Sequence, residues 1–271
     1  MMTTLFAMSN GLFLLCLVVG VIGTIWYIIN PLIGILTYRV STEPTSEAID
    51  GILYPVPEAA QERLEHDRRQ LIAAGFVPLQ ASILQGFAAN IESLRYPFVN
   101  RDKSRTALIT VILIATAQNR SLHLLETRIC GDYQGGSVDE LSVIKTSATG
   151  PFYRRKRERS YLFPHVRDVD QLIELFDRIE QRDFADASRV LKLDTEFQGN
   201  AQAWNNARSK LALSTMCDQG ALVRIEGEPK YRMPLKSYYW IAWHTWWPMR
   251  VFFRVLLASQ GKRLQRELLE N

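Results

Sequence analysis

The sequence predicts an α+β protein: a single N-terminal transmembrane helix, an antiparallel-sheet domain with flanking helices, and a C-terminal helix–hairpin unit that ends in an aromatic amphipathic helix. Three observations predict it. Residues 1–38 contain no charged side chain, and Gly11 to Ile29 is a nearly unbroken apolar run. Residues 76–147 hold a series of β-branched or alternating runs parted by short polar connections, which is the pattern of hairpins rather than of parallel crossovers. Residues 201–235 give a helical stretch, a glycine, an apolar run, a turn and a second run in succession. The chain divides accordingly into an anchor (1–38), a linker (39–56), a sheet domain (57–183), a helix–hairpin unit (184–237) and an aromatic interfacial helix with a charged tail (238–271).

Composition narrows the class without naming an activity. The 271 residues are 47% hydrophobic and 22% charged, which suits a folded chain rather than a disordered one. The net charge of +4 is too small to single out nucleic acid, and an anionic membrane surface accounts for it equally well. Cys16, Cys130 and Cys217 lie far apart and are odd in number; they give no disulfide framework or metal spacing and favour a reducing compartment.

The apolar head is long enough to cross a bilayer, since about 20 helical residues at about 1.5 Å each span the ~30 Å hydrocarbon core. A cleaved signal peptide is the competing reading. Against it stand the missing basic flank, the missing small-residue cleavage site and a run longer than the roughly 7–15 residues of such peptides. Trp26 and Tyr27 fall where an interfacial belt would sit, and Pro31 kinks or ends the span. Basic residues begin only at Arg39, so the positive-inside tendency places the body on the cytoplasmic side of a single-pass integral protein.

Ser41 to Gly51 reads as a polar linker. Residues 57–75 then form an amphipathic helix, with Pro57 at its start, Gly75 at its stop and Ala60, Leu64, Leu71 and Ile72 with Ala74 near one face. Glu58, Glu62, Glu65, Asp67, Arg68 and Arg69 are assigned to the opposite, solvated face. Strands follow within residues 77–87, 89–99, 106–116, 121–130 and 141–148, with TALITVILIAT as the central buried one. The Gly131-Asp132-Tyr133-Gln134-Gly135-Gly136 segment is read as a hairpin turn, because a turn needs glycines for positive φ; a loop in which Asp132 ligates a cation or binds a polar ligand is the alternative. Residues 169–183 form a helix whose apolar face is Leu172, Ile173, Leu175, Phe176 and Ile179. The helix at 200–219, the glycine at 220 and the hairpin turning at Glu226-Gly227-Glu228-Pro229 together resemble the closing half of a winged-helix module. That resemblance covers about 35 residues, and it implies a helix presented to nucleic acid through Arg208 and Lys210.

Two stretches are candidate contact surfaces. Four of the six tryptophans, Trp240, Trp243, Trp246 and Trp247, fall within residues 238–249, followed by Arg250 and Arg254 on one helical face. A second span would bury those arginines at about 2.5–3.5 kcal/mol each, so an interfacial helix fits better, with a core helix as the alternative. The second stretch is the basic cluster Arg154, Arg155, Lys156, Arg157 and Arg159. It reads as a solvated loop, as a contact for anionic lipid headgroups, or as a nucleic-acid contact.

No arrangement that carries chemistry stands out. The sequence holds no G-x-S-x-G elbow, phosphate loop, G-x-G-x-x-G or HExxH, so no catalytic residue, cofactor or metal site is assigned, and whether the chain is an enzyme stays open, with the weight against it. The leading expectation is a membrane-anchored scaffold, adaptor or binding module whose partners are the lipid bilayer and a protein. An enzyme with a site assembled from His123, His165, Asp132 and Glu126, and a membrane-tethered nucleic-acid binder, are the alternatives.

Overall fold

The computed structural model describes residues 14, 17–25, 29, 39–50, 54–88, 91–115, 120–134, 138–146, 157–185, 187–239 and 247–270. Their architecture is mixed α and β. The strands are β1 (Arg39–Ser41), β2 (Thr45–Ala48), β3 (Phe76–Pro78), β4 (Ser82–Ala88), β5 (Ile91–Asn100), β6 (Thr106–Ala115), β7 (Arg120–Gln134), β8 (Glu140–Thr146), β9 (Glu158–Leu162), β10 (Ser188–Val190), β11 (Val223–Arg224) and β12 (Lys230–Arg232). The helices beyond the head are α1 (Glu58–Ala73), α2 (Val169–Asp183), α3 (Lys192–Thr195), α4 (Ala201–Asp218) and α5 (Trp247–Glu270), with a further helical turn at residues 235–239.

The head corrects the first expectation. Among the described residues no helix is long and apolar enough to cross a membrane. Residues 14, 17–25 and 29 are helical. Helix α5 is long enough at 24 residues, yet Arg250, Arg254, Lys262, Arg263 and Arg266 interrupt it. This overturns the reading of a single-pass integral protein with its body on the cytoplasmic side. Most of the stretch 1–38, with Trp26 and Tyr27, lies outside the described residues. So do Trp240, Trp243, Trp246, Arg154, Arg155 and Lys156.

The main sheet has nine strands along the path β2-β4-β5-β6-β7-β8-β9, with β3 on β5 and β10 on β7. The uncharged, β-branched strand β6 sits at the middle of that path with both of its edges hydrogen-bonded; Ala107, Ile109, Val111 and Leu113 are fully buried on one face, while the other face is largely half-buried and ends in the exposed Ile114. All pairings are antiparallel except β8 with β9, which run parallel. The segment read as a linker supplies β2 at the edge of this sheet and β1 in a second, three-stranded sheet of order β1-β12-β11.

The glycine-rich segment read as a turn is not a turn at its start. Strand β7 runs on through Gly131, Asp132, Tyr133 and Gln134, with Gly131 opposite Leu141 and Asp132 opposite Glu140. Gly131 is required there for close approach rather than for positive φ: a Cβ would lie 2.9 Å from Phe176 Cζ and from Tyr133 Oη. Gly75 is the opposite case, with φ of 88° just after α1.

Alternation along the strands gives the sheet two different faces. One carries Leu94, Tyr96 and Phe98 of β5, Ala107, Ile109 and Val111 of β6, Leu125 and Ile129 of β7, and Leu141 and Val143 of β8. These pack with Leu64 and Leu71 of α1 and Leu172, Leu175, Phe176 and Ile179 of α2 into the main core. The C-terminal half of α5 joins it through Leu264 and Leu268, so the charged tail is in part a docked helix. The other face is covered by α4 and the segment before it, where Leu191, Leu193 and Trp204 pack on Val99. Asn200 caps α4, its side chain accepting from the Ala203 amide at 3.0 Å.

Candidate functional site

The site is built around an ion pair that the fold buries on the helix-covered face. Asp67 falls on the stripe Ala60, Leu64, Asp67, Leu71 of α1, all of them buried, so the 3.6-residue period carries a carboxylate into the core rather than onto the solvated face assigned to it above. Thr127 and Lys145, cross-strand partners on β7 and β8, point to the same face by alternation. Lys145 Nζ donates to Asp67 Oδ1 at 2.6 Å and to the Arg167 carbonyl at 2.6 Å. The Thr127 hydroxyl donates to Asp67 Oδ2. Asp67 is 2% exposed and Lys145 7%; such charges are stable inside a protein only when paired and hydrogen-bonded in this manner.

This pair lies in the wall of a cavity of about 760 Å³. One turn of α1 supplies Glu62, Arg63 and His66, and the loop before α2 supplies Pro164 to Arg167. Helix α5 supplies Arg254, Ala258 and Lys262, three positions in one i, i+4, i+8 row. Two contacts hold these walls. His165 Nε2 lies 2.7 Å from Gln265 Oε1, and Gly261 lets α5 close on that ring, since a Cβ there would come 2.9 Å from His165 Cε1. On the other side His66 Nε2 stands 3.6 Å from Asp168 Oδ1. Gln70 donates to the same carboxylate at 3.3 Å and accepts from the Val169 amide at 2.9 Å, fastening α1 to the start of α2.

Electrostatically the cavity is cationic. Five positive side chains, Arg63, Lys145, Arg167, Arg254 and Lys262, face two carboxylates, Glu62 and Asp67, an excess of three. The chain as a whole has an excess of four. Asp67 is already taken by Lys145. The side chains of Arg63, Arg167, Arg254 and Lys262 make no ion pair with another described residue, and all four are exposed. Among the described residues no Ser, Thr, Cys or Tyr lines the cavity.

The opposite face of the sheet carries a second polar system. Arg208 of α4 donates to Glu140 and reaches Cys130 Sγ at 3.8 Å. Ser142 donates to Glu140 at 3.0 Å, and Arg128 donates to Glu126 at 3.0 Å. Arg95 donates to Ser209 Oγ at 2.6 Å and to the Asn205 carbonyl at 3.2 Å. Burial and the neighbouring Glu140 raise the Asp132 carboxyl to about 6, against the pull of Arg208 and Lys192. Burial likewise pushes the Cys130 thiol up to about 11. These contacts hold α4 to the sheet, while Arg95 Nε and the Asn205 side-chain amide are buried without a hydrogen-bond partner among the described residues. A third network centres on Glu180, which accepts from Tyr133 Oη at 2.6 Å, from Arg105 at 3.0 Å and from Arg189.

The structure scatters most of the residues singled out from sequence. Arg157 pairs with Asp139 at 2.9 Å and Arg159 with Asp183 at 3.6 Å, both on the surface. Trp247 and Arg250 belong to the first turn of α5, while Arg254 lines the cavity. Of the four residues considered for an assembled site, Glu126 and Asp132 lie on the α4 side of the sheet, His123 is exposed on β7, and His165 lines the cavity on the other side. They do not converge. Arg208, the arginine that a nucleic-acid contact would use, is turned inward onto Glu140. Among the described residues, no three His, Cys, Asp or Glu side chains are gathered as metal ligands would be.

Compared with known proteins, the sequence matches no family model, and neither a curated protein nor a solved structure is significantly similar to the chain.

Proposed function

We propose that this chain is a binding module for a small anionic ligand, seated in the cavity between α1, α5 and the loop at Pro164 to Arg167. The observation that carries the reading is the set of four cations without ion-pair partners among the described residues, drawn from three separate elements, around one concavity. Like charges gathered around one concavity repel one another even when exposed, and an anion of matching size removes that repulsion. A cavity of about 760 Å³ is of ligand size.

The test is calorimetric titration of the full chain with inorganic phosphate and with sulfate at low salt. Saturable binding is expected, weakened at least tenfold in an Arg254→Ser/Lys262→Ser chain, because both side chains are exposed and neither supports the fold. Binding that is unchanged in that chain, or no binding of either anion to the native chain, refutes the reading.

A further inference from the structure

We infer that the ligand is a compact polyanion carrying at least two phosphate groups on a body without an aromatic ring, such as a phosphorylated polyol or a short inorganic polyphosphate. The inference rests on the anion-binding reading and adds the ligand's chemistry to it.

Charge sets the number of groups. Arg63, Arg167, Arg254 and Lys262 leave about four positive charges to be met, and among the described lining residues Glu62 is the one carboxylate not already paired with a cation there. A single carboxylate supplies one negative charge. A phosphate supplies about 1.5–2 near neutral pH, so two phosphates match what the cavity presents and one does not. Three of the four cations are guanidiniums, whose planar forks suit two oxygens of one phosphate. They stand on α1, on the loop before α2 and on α5, so the anionic groups they meet are spread over the cavity rather than gathered at one point.

The rest of the lining describes the body that bears those groups. Among the described residues no Phe, Tyr or Trp lines the cavity, and the apolar ones there are Pro164, Val166 and Ala258. A nucleobase would find no stacking platform, and stacking is the usual source of its affinity. Glu62 and His66 stand on the same wall as Arg63 and can accept from hydroxyl groups, which a polyol offers and a hydrocarbon does not.

The experiment titrates the full chain with orthophosphate, tripolyphosphate, fructose 1,6-bisphosphate, citrate and ATP under one buffer and salt. Tripolyphosphate or the bisphosphate is expected to bind at least tenfold more tightly than orthophosphate and citrate, with ATP within about threefold of tripolyphosphate. Preference for the bisphosphate over tripolyphosphate marks the polyol source, and the reverse marks the inorganic one. ATP tighter than tripolyphosphate by tenfold would reveal a base site and overturn the inference, as would citrate equal to tripolyphosphate. If all bind weakly and alike, the inference falls while anion binding stands; if none binds, anion binding itself falls.

Discussion

Replacing Lys145 by methionine tests whether the Asp67–Lys145 pair is a buried, self-neutralised unit. The substitution keeps the volume and stem of the side chain and removes the cation 2.6 Å from Asp67 Oδ1. Asp67, 2% exposed, would keep only the Thr127 hydroxyl on its other oxygen. Removing one partner of a buried pair costs about 3–5 kcal/mol, because the remaining charge is uncompensated. Against a total stability of about 5–15 kcal/mol, and with a urea slope of about 3 kcal/mol per molar, the midpoint should fall by about 1–1.7 M. Urea titration followed by tryptophan fluorescence reads this directly. The double change Asp67→Leu with Lys145→Met should recover most of the loss, since apolar pairs of similar volume often replace buried ion pairs at little cost. A loss under about 1 kcal/mol for Lys145→Met would refute the reasoning. So would a double variant as unstable as the sum of its singles, because independent sites add and coupled ones do not.

The same measurements check two more sites. Asp132 has a folded carboxyl raised to about 6, above the unfolded value of about 3.9. The stability contributed by its protonated form is therefore fully present below about pH 4 and lost as pH rises through about 6. Asp132→Asn should leave stability unchanged at pH 4 and add about 2–3 kcal/mol at pH 7.5; an equal gain at both values would refute the assignment. Gly131→Ala places a Cβ against Phe176 and Tyr133 and should cost about 1–3 kcal/mol by overpacking. A stable Gly131→Ala chain would mean that the β7–α2 contact is looser than the geometry requires.

Much of the fold can be read from local pattern, and the site can be read only in part. Strand β6 and helices α1 and α2 follow from period and composition, because β-branched runs and amphipathic stripes are local signals. The parallel β8–β9 pair and the placement of α4 on the sheet are not local; they depend on which faces remain to be covered. The segment from Gly131 was misjudged for a definite physical reason. Glycine serves both positive φ and close approach, and here Phe176, 45 positions along the chain, makes the second demand. Asp67, Lys145 and Thr127 left a trace that could have been found. Each interrupts an apolar stripe at the buried phase: Asp67 between Leu64 and Leu71, Thr127 between Leu125 and Ile129, Lys145 two positions after Val143. A polar residue at a buried phase needs a partner. Sequence spacing could not reveal which one, since 78 positions separate Asp67 from Lys145.

Floor and rim of the cavity therefore differ in kind, and that difference yields one last expectation. The floor is already neutral: the charge of Lys145 is spent on Asp67 at 2.6 Å, and both groups are shielded from water. The rim is unspent, with exposed guanidinium and ammonium groups that contribute little to folding, as exposed charges generally do. Lys145→Met should thus lower stability by the margin worked out above while changing phosphate affinity less than threefold at temperatures where it stays folded. Arg254→Ser with Lys262→Ser should do the reverse, with stability within about 0.5 kcal/mol of the native chain and affinity reduced at least tenfold. Comparing the two chains by urea titration and calorimetry separates a structural role from a ligand-facing one. Equal loss of affinity in both would mean that Lys145 reaches the ligand and that the pair is not a closed floor.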